Sequence, residues 1–264
     1  MKQEKNEGRP QSGPFDLQEV LTVLENDLEK HWGFPSGSLR QGSISYLPSN
    51  DNRAAWTANG GVVACDDEEL AAKMVDAIGS HDGRDHVLLL AKLQEILENA
   101  LGEVTCGLDV LLYCAGRPNP ARAELSALVE MVQVEEVWPE GNELAEHIFA
   151  IRIGKVPFER HLGPTIISKE SVLAKSGMAS IATLNHSKLS TGKRKFHAAG
   201  AFTHSDYWNR GLGKAVVSAL LEHIADEGGI AMWSHDAKNM PSNRLALCCG
   251  FKEHVLIFGW KSEK

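Results

Sequence analysis

Apolar residues recur at helical spacing over residues 15–31, where Leu17, Val20, Leu21, Val23, Leu24 and Leu28 fill one broad face. Asp16 is placed to cap that helix, and Trp32-Gly33-Phe34-Pro35 stops it. Short strands are predicted over residues 43–47 and 61–65, with a turn-rich stretch between them. Asp66, Asp67, Glu68 and Glu69 then open a helix to about residue 78, acids suiting the positive end of its dipole. Residues 86–101 form a second strong helix, with Leu89, Leu90, Leu93, Ile96 and Leu97 on one side and Gly102 at its end. The unbroken apolar run at 108–114 predicts a buried strand, and residues 121 to about 134 predict a further helix. Residues 140–153 fit neither period, and a loose boundary falls near Glu140.

Beyond it the pattern changes. Residues 165–168, 178–184 and 197–203 read as strands. They are followed by a helix over 211–227, a stop at Gly228-Gly229, a strand over 230–234, a short helix over 241–249 ending at Gly250, and a strand over 253–260. Strands alternating with helices imply an α/β or α+β sheet. The expected organisation is a loose tail at 1–14, a smaller α/β domain of unassigned role at 15–139 and a second domain at 140–264.

Composition narrows the classes. The chain has 264 residues, 43% hydrophobic and 23% charged, with a net charge of −8. That excludes a disordered or collagen-like chain. No apolar run approaches the ~20 residues that span a bilayer, and the polar start lacks the apolar core of a secretory signal. The acidic balance argues against nonspecific nucleic-acid binding. Five cysteines, Cys65, Cys106, Cys114, Cys248 and Cys249, are an odd count without a Cys-x-x-Cys pair, so reduced thiols in the cytoplasm are expected. Eleven histidines include no helical pair with a partner acid, and no structural metal is expected. Lys188, Lys193, Arg194 and Lys195 form a basic tip between two strands, read as a solvated loop that could touch an anion.

Chemistry concentrates between Ala201 and Val216. A strand ends near Thr203, and a helix opens around Gly211. Gly211 and Gly213 let backbone N–H groups approach a ligand, and the first N–H groups of a helix make an anion site. Arg210 and Lys214 stand at its rim. Ala215 after Lys214 and Trp208 in place of a glycine rule out the nucleoside-triphosphate phosphate loop. Val216 stands where a dinucleotide-binding fingerprint needs its third glycine. A glycine-eased turn without ligand is the plainer reading of this stretch alone.

About thirty residues on, Asn239, Ser242, Leu245, Gly250 and Phe251 supply a second pattern. Together with Thr203-His-Ser-Asp-Tyr-Trp-Asn-Arg-Gly-Leu-Gly213, they make residues 140–264 resemble the GNAT superfamily of acyl-CoA-dependent N-acyltransferases. The resemblance implies a mixed, mostly antiparallel sheet flanked by helices. It implies acetyl-CoA as donor, with an acetyl or short acyl group moving directly to a primary amine of a small molecule. Backbone groups of Ala201, Phe202 and Thr203 would pair with the pantetheine arm. Main-chain N–H groups of Trp208, Asn209, Arg210, Gly211, Leu212 and Gly213 would hold the pyrophosphate, with Lys214 beside them. Asn239 would bond the pantetheine or orient its loop, and Ser242 would stand near the thiol. A small-molecule partner is implied, without nucleic acid or membrane, and a homodimer is compatible with it.

Two positions depart from the family pattern. Trp208 stands where Arg or Gln is usual. Ala246 stands where a Tyr often protonates the leaving thiolate. Ser242 as donor, and His235 or His204 as base, are the substitutes for the missing group; a helix cap and core or loop histidines are their plainer roles. Cys248 and Cys249 lie just past Ala246 and read as packing residues. Asp206 and Asp236 could attract a cationic amine. The loss of the Tyr keeps a second reading open, a CoA-binding sensor without turnover.

Overall fold

The computed structural model describes residues 16–155, 172–173, 175–185, 187 and 195–262. The expected tail, the strand at 165–168 and most of the basic tip lie outside them. The first half contributes α1 (Leu17–Trp32), β1 (Ile44–Pro48), β2 (Arg53–Thr57), β3 (Gly60–Cys65), α2 (Glu68–Gly79), α3 (His86–Leu101) and β4 (Val104–Cys114). Then follow α4 (Ala123–Ser126), β5 (Glu130–Val132), α5 (Val134–Val137), β6 (Ala145–Arg152), β7 (Met178–Asn185) and β8 (Phe196–Thr203). The chain continues as α6 (Leu212–Asp226), β9 (Ile230–Asp236), α7 (Met240–Cys249) and β10 (Lys252–Ser262).

The cap read from sequence at Asp16 holds, accepting from the N–H groups of Gln18 and Glu19, and the structure adds Asp67 and Asp85 as caps of α2 and α3, accepting from Leu70 and Leu88. Each carboxylate satisfies donors that a helix start leaves open.

The described strands form one sheet in the order β1-β3-β2-β10-β4-β9-β8-β7-β6-β5. The pairs β1–β3 and β8–β9 are parallel, and the remaining neighbours are antiparallel. This is the expected mixed, mostly antiparallel α/β architecture. Its order also interlocks the two halves of the chain. β4 from the first half pairs with β9, and β10 from the second half lies between β4 and β2. One apolar core runs through both, joining Leu90 and Leu93 of α3 to Leu220 and Leu221 of α6.

Two local expectations fail. The turn-rich stretch before residue 61 contains β2, whose Ala54 and Ala55 are buried between β3 and β10. Short alanines carry little periodic signal, and pairing on both sides makes the strand. The helix over 121–134 breaks into α4, β5 and α5. Glu130 explains much of the break, because Arg152 and Lys155 at the end of β6 both ion-pair with it and hold β5 against β6. Tertiary pairing overrides helical propensity here.

Among the described residues no helix is long and apolar enough to cross a membrane. None of their His, Cys, Asp and Glu side chains gather into a group of three or more able to hold a metal.

Candidate functional site

The site lies where β8 and β9 part. They pair only at Phe196–Ile230, His197–Ala231 and Ala198–Met232, after which β8 runs on to Thr203 and β9 to Asp236. β7 covers the far edge of β8 from Ala198 to Thr203, and β4 covers the far edge of β9. The facing edges beyond Ala198 therefore part and open a wedge between β8 and β9. An amide-bearing chain can add to such an edge by main-chain hydrogen bonds.

The wedge leads to the start of α6. Gly211 is the N-cap at φ +85°, with no side-chain cap, and no acid occupies the first turn. The N–H groups of the first turn point outward without intrahelical acceptors. Asn209, at φ +60°, makes the preceding turn. The structure adds a constraint that the sequence reading assigned to ligand approach alone. A Cβ at Gly211 would lie 3.2 Å from Leu125 Cδ1 and 3.4 Å from Arg122 Nη2. One at Gly213 would lie 3.1 Å from Thr203 Oγ1 and 3.5 Å from Leu245. Both glycines thus also serve packing.

Arg122 is the residue that sequence reasoning missed. Its Nη2 donates to the Arg210 carbonyl at 2.6 Å, while 61% of its side chain stays exposed beside the helix start. It belongs to a strap laid along α6. Arg117 pairs with Asp226 at 2.8 Å, the Asn119 carbonyl accepts from Ser218 at 3.2 Å, and Arg122 and Leu125 meet Gly211. No spacing in the sequence links Arg122 to Arg210, 88 positions away.

The other expected residues fall as follows. The Trp208 backbone N–H closes a turn onto the Ser205 carbonyl, so it is not available to a pyrophosphate as expected. Its exposed indole donates to the Thr203 carbonyl at 2.8 Å. Arg210 lies over the Tyr207 ring at 5.3 Å. Asn239 caps α7, accepting from the Ser242 N–H at 3.2 Å. Ser242 is therefore not the cap; its hydroxyl accepts from Trp233 Nε1 at 3.0 Å and keeps its own proton to donate. His204 is buried, and its Nδ1 accepts from the Asp206 N–H. His235 is only 6% exposed. Its Nδ1–H donates to the Asp236 carbonyl at 2.8 Å, and its Nε2 finds no hydrogen-bond partner among the described residues.

Ala246, the position where a Tyr was sought, is fully buried in the core. Cys249 is buried beside it, and burial, with Cys248 next, pushes its thiol up. Asp236 accepts from the Lys238 N–H at 2.7 Å. Across the β4–β9 pair Asp109 stands opposite Asp236, and burial first and that carboxylate second push the Asp109 carboxyl up. Lys195, the described end of the basic tip, lies at the far end of β8 from Thr203.

A wedge between two strand edges that ends at a cation-flanked helix start has the shape and charge to accept an extended amide-bearing chain with an anionic end. Residues 131–251 match the family model "Acetyltransferase (GNAT) family". That match covers a little under half of the chain, and within it residues 131–251 form a GNAT-type acetyltransferase domain; acyl transfer from an acyl-CoA is the general chemistry of that family. None of the curated proteins matches the sequence.

Similar solved structures include a GNAT-family acetyltransferase from Colwellia psychrerythraea, 11% identical, covering 64% of this chain and 61% of that one, with a TM-score of 0.39. A GCN5-related N-acetyltransferase-like protein from Streptococcus suis is 16% identical over 68% and 77%, with a TM-score of 0.36. A GCN5-related N-acetyltransferase from Sphaerobacter thermophilus is 11% identical over 65% and 56%, with a TM-score of 0.36. This chain spans less than two thirds of the Colwellia and Sphaerobacter proteins. The family match, not these partial overlaps, carries the assignment.

Proposed function

We propose that the protein transfers an acetyl or other short acyl group from its CoA thioester directly to a primary amine of a small molecule. The wedge between β8 and β9, ending at the uncapped start of α6, is the observation that supports this most. On this reading the wedge edge from Ala199 to Thr203 aligns the pantetheine arm. The first N–H groups of α6, with Arg122, Arg210 and Lys214, hold the phosphates. Alignment itself supplies much of the acceleration in a transfer between two bound partners. His235 accepts the amine proton through one bridging water, since its free Nε2 is buried. The Ser242 hydroxyl donates a hydrogen bond to the leaving sulfur.

We place the reaction in a reducing, cytoplasmic compartment, which the five unpaired cysteines support. On this reading, residues 15–139 form the flanking unit that helps build the acceptor side.

Ala246 favours a second reading, a CoA-responsive module without turnover, because a methyl group there supplies no proton to the leaving thiolate. A thiol-release assay with acetyl-CoA against an amine panel separates the two. Turnover with any amine establishes the enzyme. Stabilisation by acetyl-CoA without thiol release across the panel establishes the sensor, and no stabilisation at millimolar acetyl-CoA overturns both.

A further inference from the structure

Two carbonyls face each other across the mouth of the wedge, one at the end of each strand. The peptide after Thr203 is trans and planar, so its C=O and its N–H point in opposite directions. That N–H belongs to His204 and donates to the Ala179 carbonyl on β7 at 3.0 Å. The Thr203 carbonyl therefore points away from β7, to the side where β9 lies. The same geometry holds across the wedge. The Ala237 N–H donates to the Leu108 carbonyl on β4 at 2.7 Å, so the Asp236 carbonyl points away from β4, to the side where β8 lies.

Both acceptors are taken by donors of this chain, but in different ways. The Asp236 carbonyl accepts from the Asn239 N–H and from His235 Nδ1, each at 2.8 Å. The first of these is a main-chain bond of the turn into α7, and it opens only if that turn opens. The Thr203 carbonyl accepts instead from a side chain, the Trp208 indole, at 2.8 Å. Thr203 itself is fixed from the other side, by its place opposite Ser180 on β7 and by the 2.8 Å bond between the two hydroxyls.

The indole is held by little else. Its N–H meets a carbonyl that faces the wedge, so the ring lies on that side of β8, at the mouth. Trp208 is nonetheless 58% exposed. Its backbone is pinned by the bond from its N–H to the Ser205 carbonyl at 3.1 Å. The ring can therefore leave by turning about its side-chain bonds alone, a fast motion for an exposed residue. On leaving it gives up one hydrogen bond and regains one from water.

We propose that Trp208 is a gate on the donor site. In the free protein its indole closes the mouth by holding the Thr203 carbonyl. A donor whose arm pairs an amide with that carbonyl displaces the indole into solvent. The proposal rests on the acyl-CoA reading of the wedge above. The gate answers to the arm and not to the phosphates, because the first turn of α6 makes no use of the Thr203 carbonyl. Its cost to the donor is fixed by the fraction of molecules in which it stands closed, since that fraction lowers the apparent affinity.

The full-length chain tests this with acetyl-CoA and with ADP, which carries a pyrophosphate but no arm. Nitrogen-15 NMR identifies the Trp208 indole N–H by its absence from Trp208→Phe. Saturation with acetyl-CoA should move that resonance to the position of a water-exposed indole and speed its exchange with water, whereas ADP should leave it in place. Trp208→Phe keeps a ring but has no N–H to hold the carbonyl. By isothermal titration it should bind acetyl-CoA about twofold to tenfold tighter than the wild type. Trp208→Ala should bind it at least as tightly as Trp208→Phe, and ADP should bind all of them alike.

Acetyl-CoA bound with the indole resonance unmoved overturns the gate. Equal or weaker binding by Trp208→Phe overturns it too, and weaker binding by Trp208→Ala makes the ring part of the donor's binding surface instead. A resonance that ADP moves as far as acetyl-CoA does overturns the link to the arm. Acetyl-CoA that binds neither the wild type nor the variants overturns the donor reading itself, and the gate with it.

Discussion

Replacing Gly211 with alanine probes the anion site with the smallest change available. Gly211 sits at φ +85°, where an L-residue costs about 1–2 kcal/mol. In a chain of this size that lowers the melting temperature by about 2–8 °C. The new methyl enters the gap beside Arg122, 3.4 Å from its Nη2, and presses on Leu125 Cδ1 at 3.2 Å. Relief of either strain turns the peptide between Arg210 and Gly211, which Arg122 now fixes. The first-turn N–H groups then lose their common aim.

Acetyl-CoA at a hundred times its Kd should stabilise the wild type by about 2.7 kcal/mol. A tenfold weaker site at the same concentration retains about 1.4 kcal/mol, half of that stabilisation. Thermal melting with and without acetyl-CoA reads both quantities. Gly228→Ala is the control, since it sits at φ +72° with nothing within 4 Å of a Cβ, and it should lose stability while keeping the full ligand shift. A Gly211→Ala variant that melts lower yet keeps the wild-type shift would refute the placement of the phosphates.

Other outcomes follow from the same contacts. Arg122→Ala should weaken acetyl-CoA binding by up to about tenfold and flatten its salt dependence, while Arg122→Lys recovers part of the affinity without the fork onto Arg210; isothermal titration at two ionic strengths decides, and equal affinity in all three proteins removes Arg122 from the site. Expressed alone, residues 140–264 should fail to fold, because β9 and β10 lose β4 from between them; a monomeric, cooperatively melting fragment would contradict the interlock. Glu253 and His81 both have values drawn below their ordinary ranges, the first by its bond to His86 and the second by burial and then His86. For each, stability is fully present above the unfolded value and lost as pH falls through the folded one. Urea unfolding should therefore show stability falling from pH 7 towards pH 4, and less steeply in Glu253→Gln; equal slopes would argue against the pairing. With a chromogenic disulfide, exposed Cys248 should react in the native state while buried Cys65, Cys114 and Cys249 wait for unfolding, the Cys114 thiol being pushed up to about 11 by burial.

What the sequence made legible was local. Helix starts with an Asp cap and strong periods, as at α1, α2 and α3, are written in neighbouring residues and were read nearly to their ends. The turn into α6 and the Asn239–Ser242 pattern were equally readable, since glycine and capping chemistry act within a few positions. What stayed hidden depends on contacts between distant segments. β2 exists because β10 and β3 flank it, and β5 because Arg152 and Lys155 draw Glu130 to β6. Arg122 at the helix start and His86 at Glu253 are set by topology, and neither residue type nor spacing announces them. Trp208 misled for a related reason, because its backbone N–H is consumed by a turn that only the folded loop defines.

The exchange of β4 and β10 also sets a timetable. β10 is the last strand of the sheet in chain order, yet it fills a central place between β2 and β4. While the chain emerges from the ribosome, those two strands wait with open edges until the last strand has been made. At about 5–20 residues per second, the stretch from β4 to β10 takes several seconds or more to appear. Unpaired edges exposed for that long invite pairing with other chains. Yield in the cell should therefore depend on how fast the final strand is delivered, and a holding chaperone or a lower growth temperature should raise the soluble fraction without changing the stability of the finished protein.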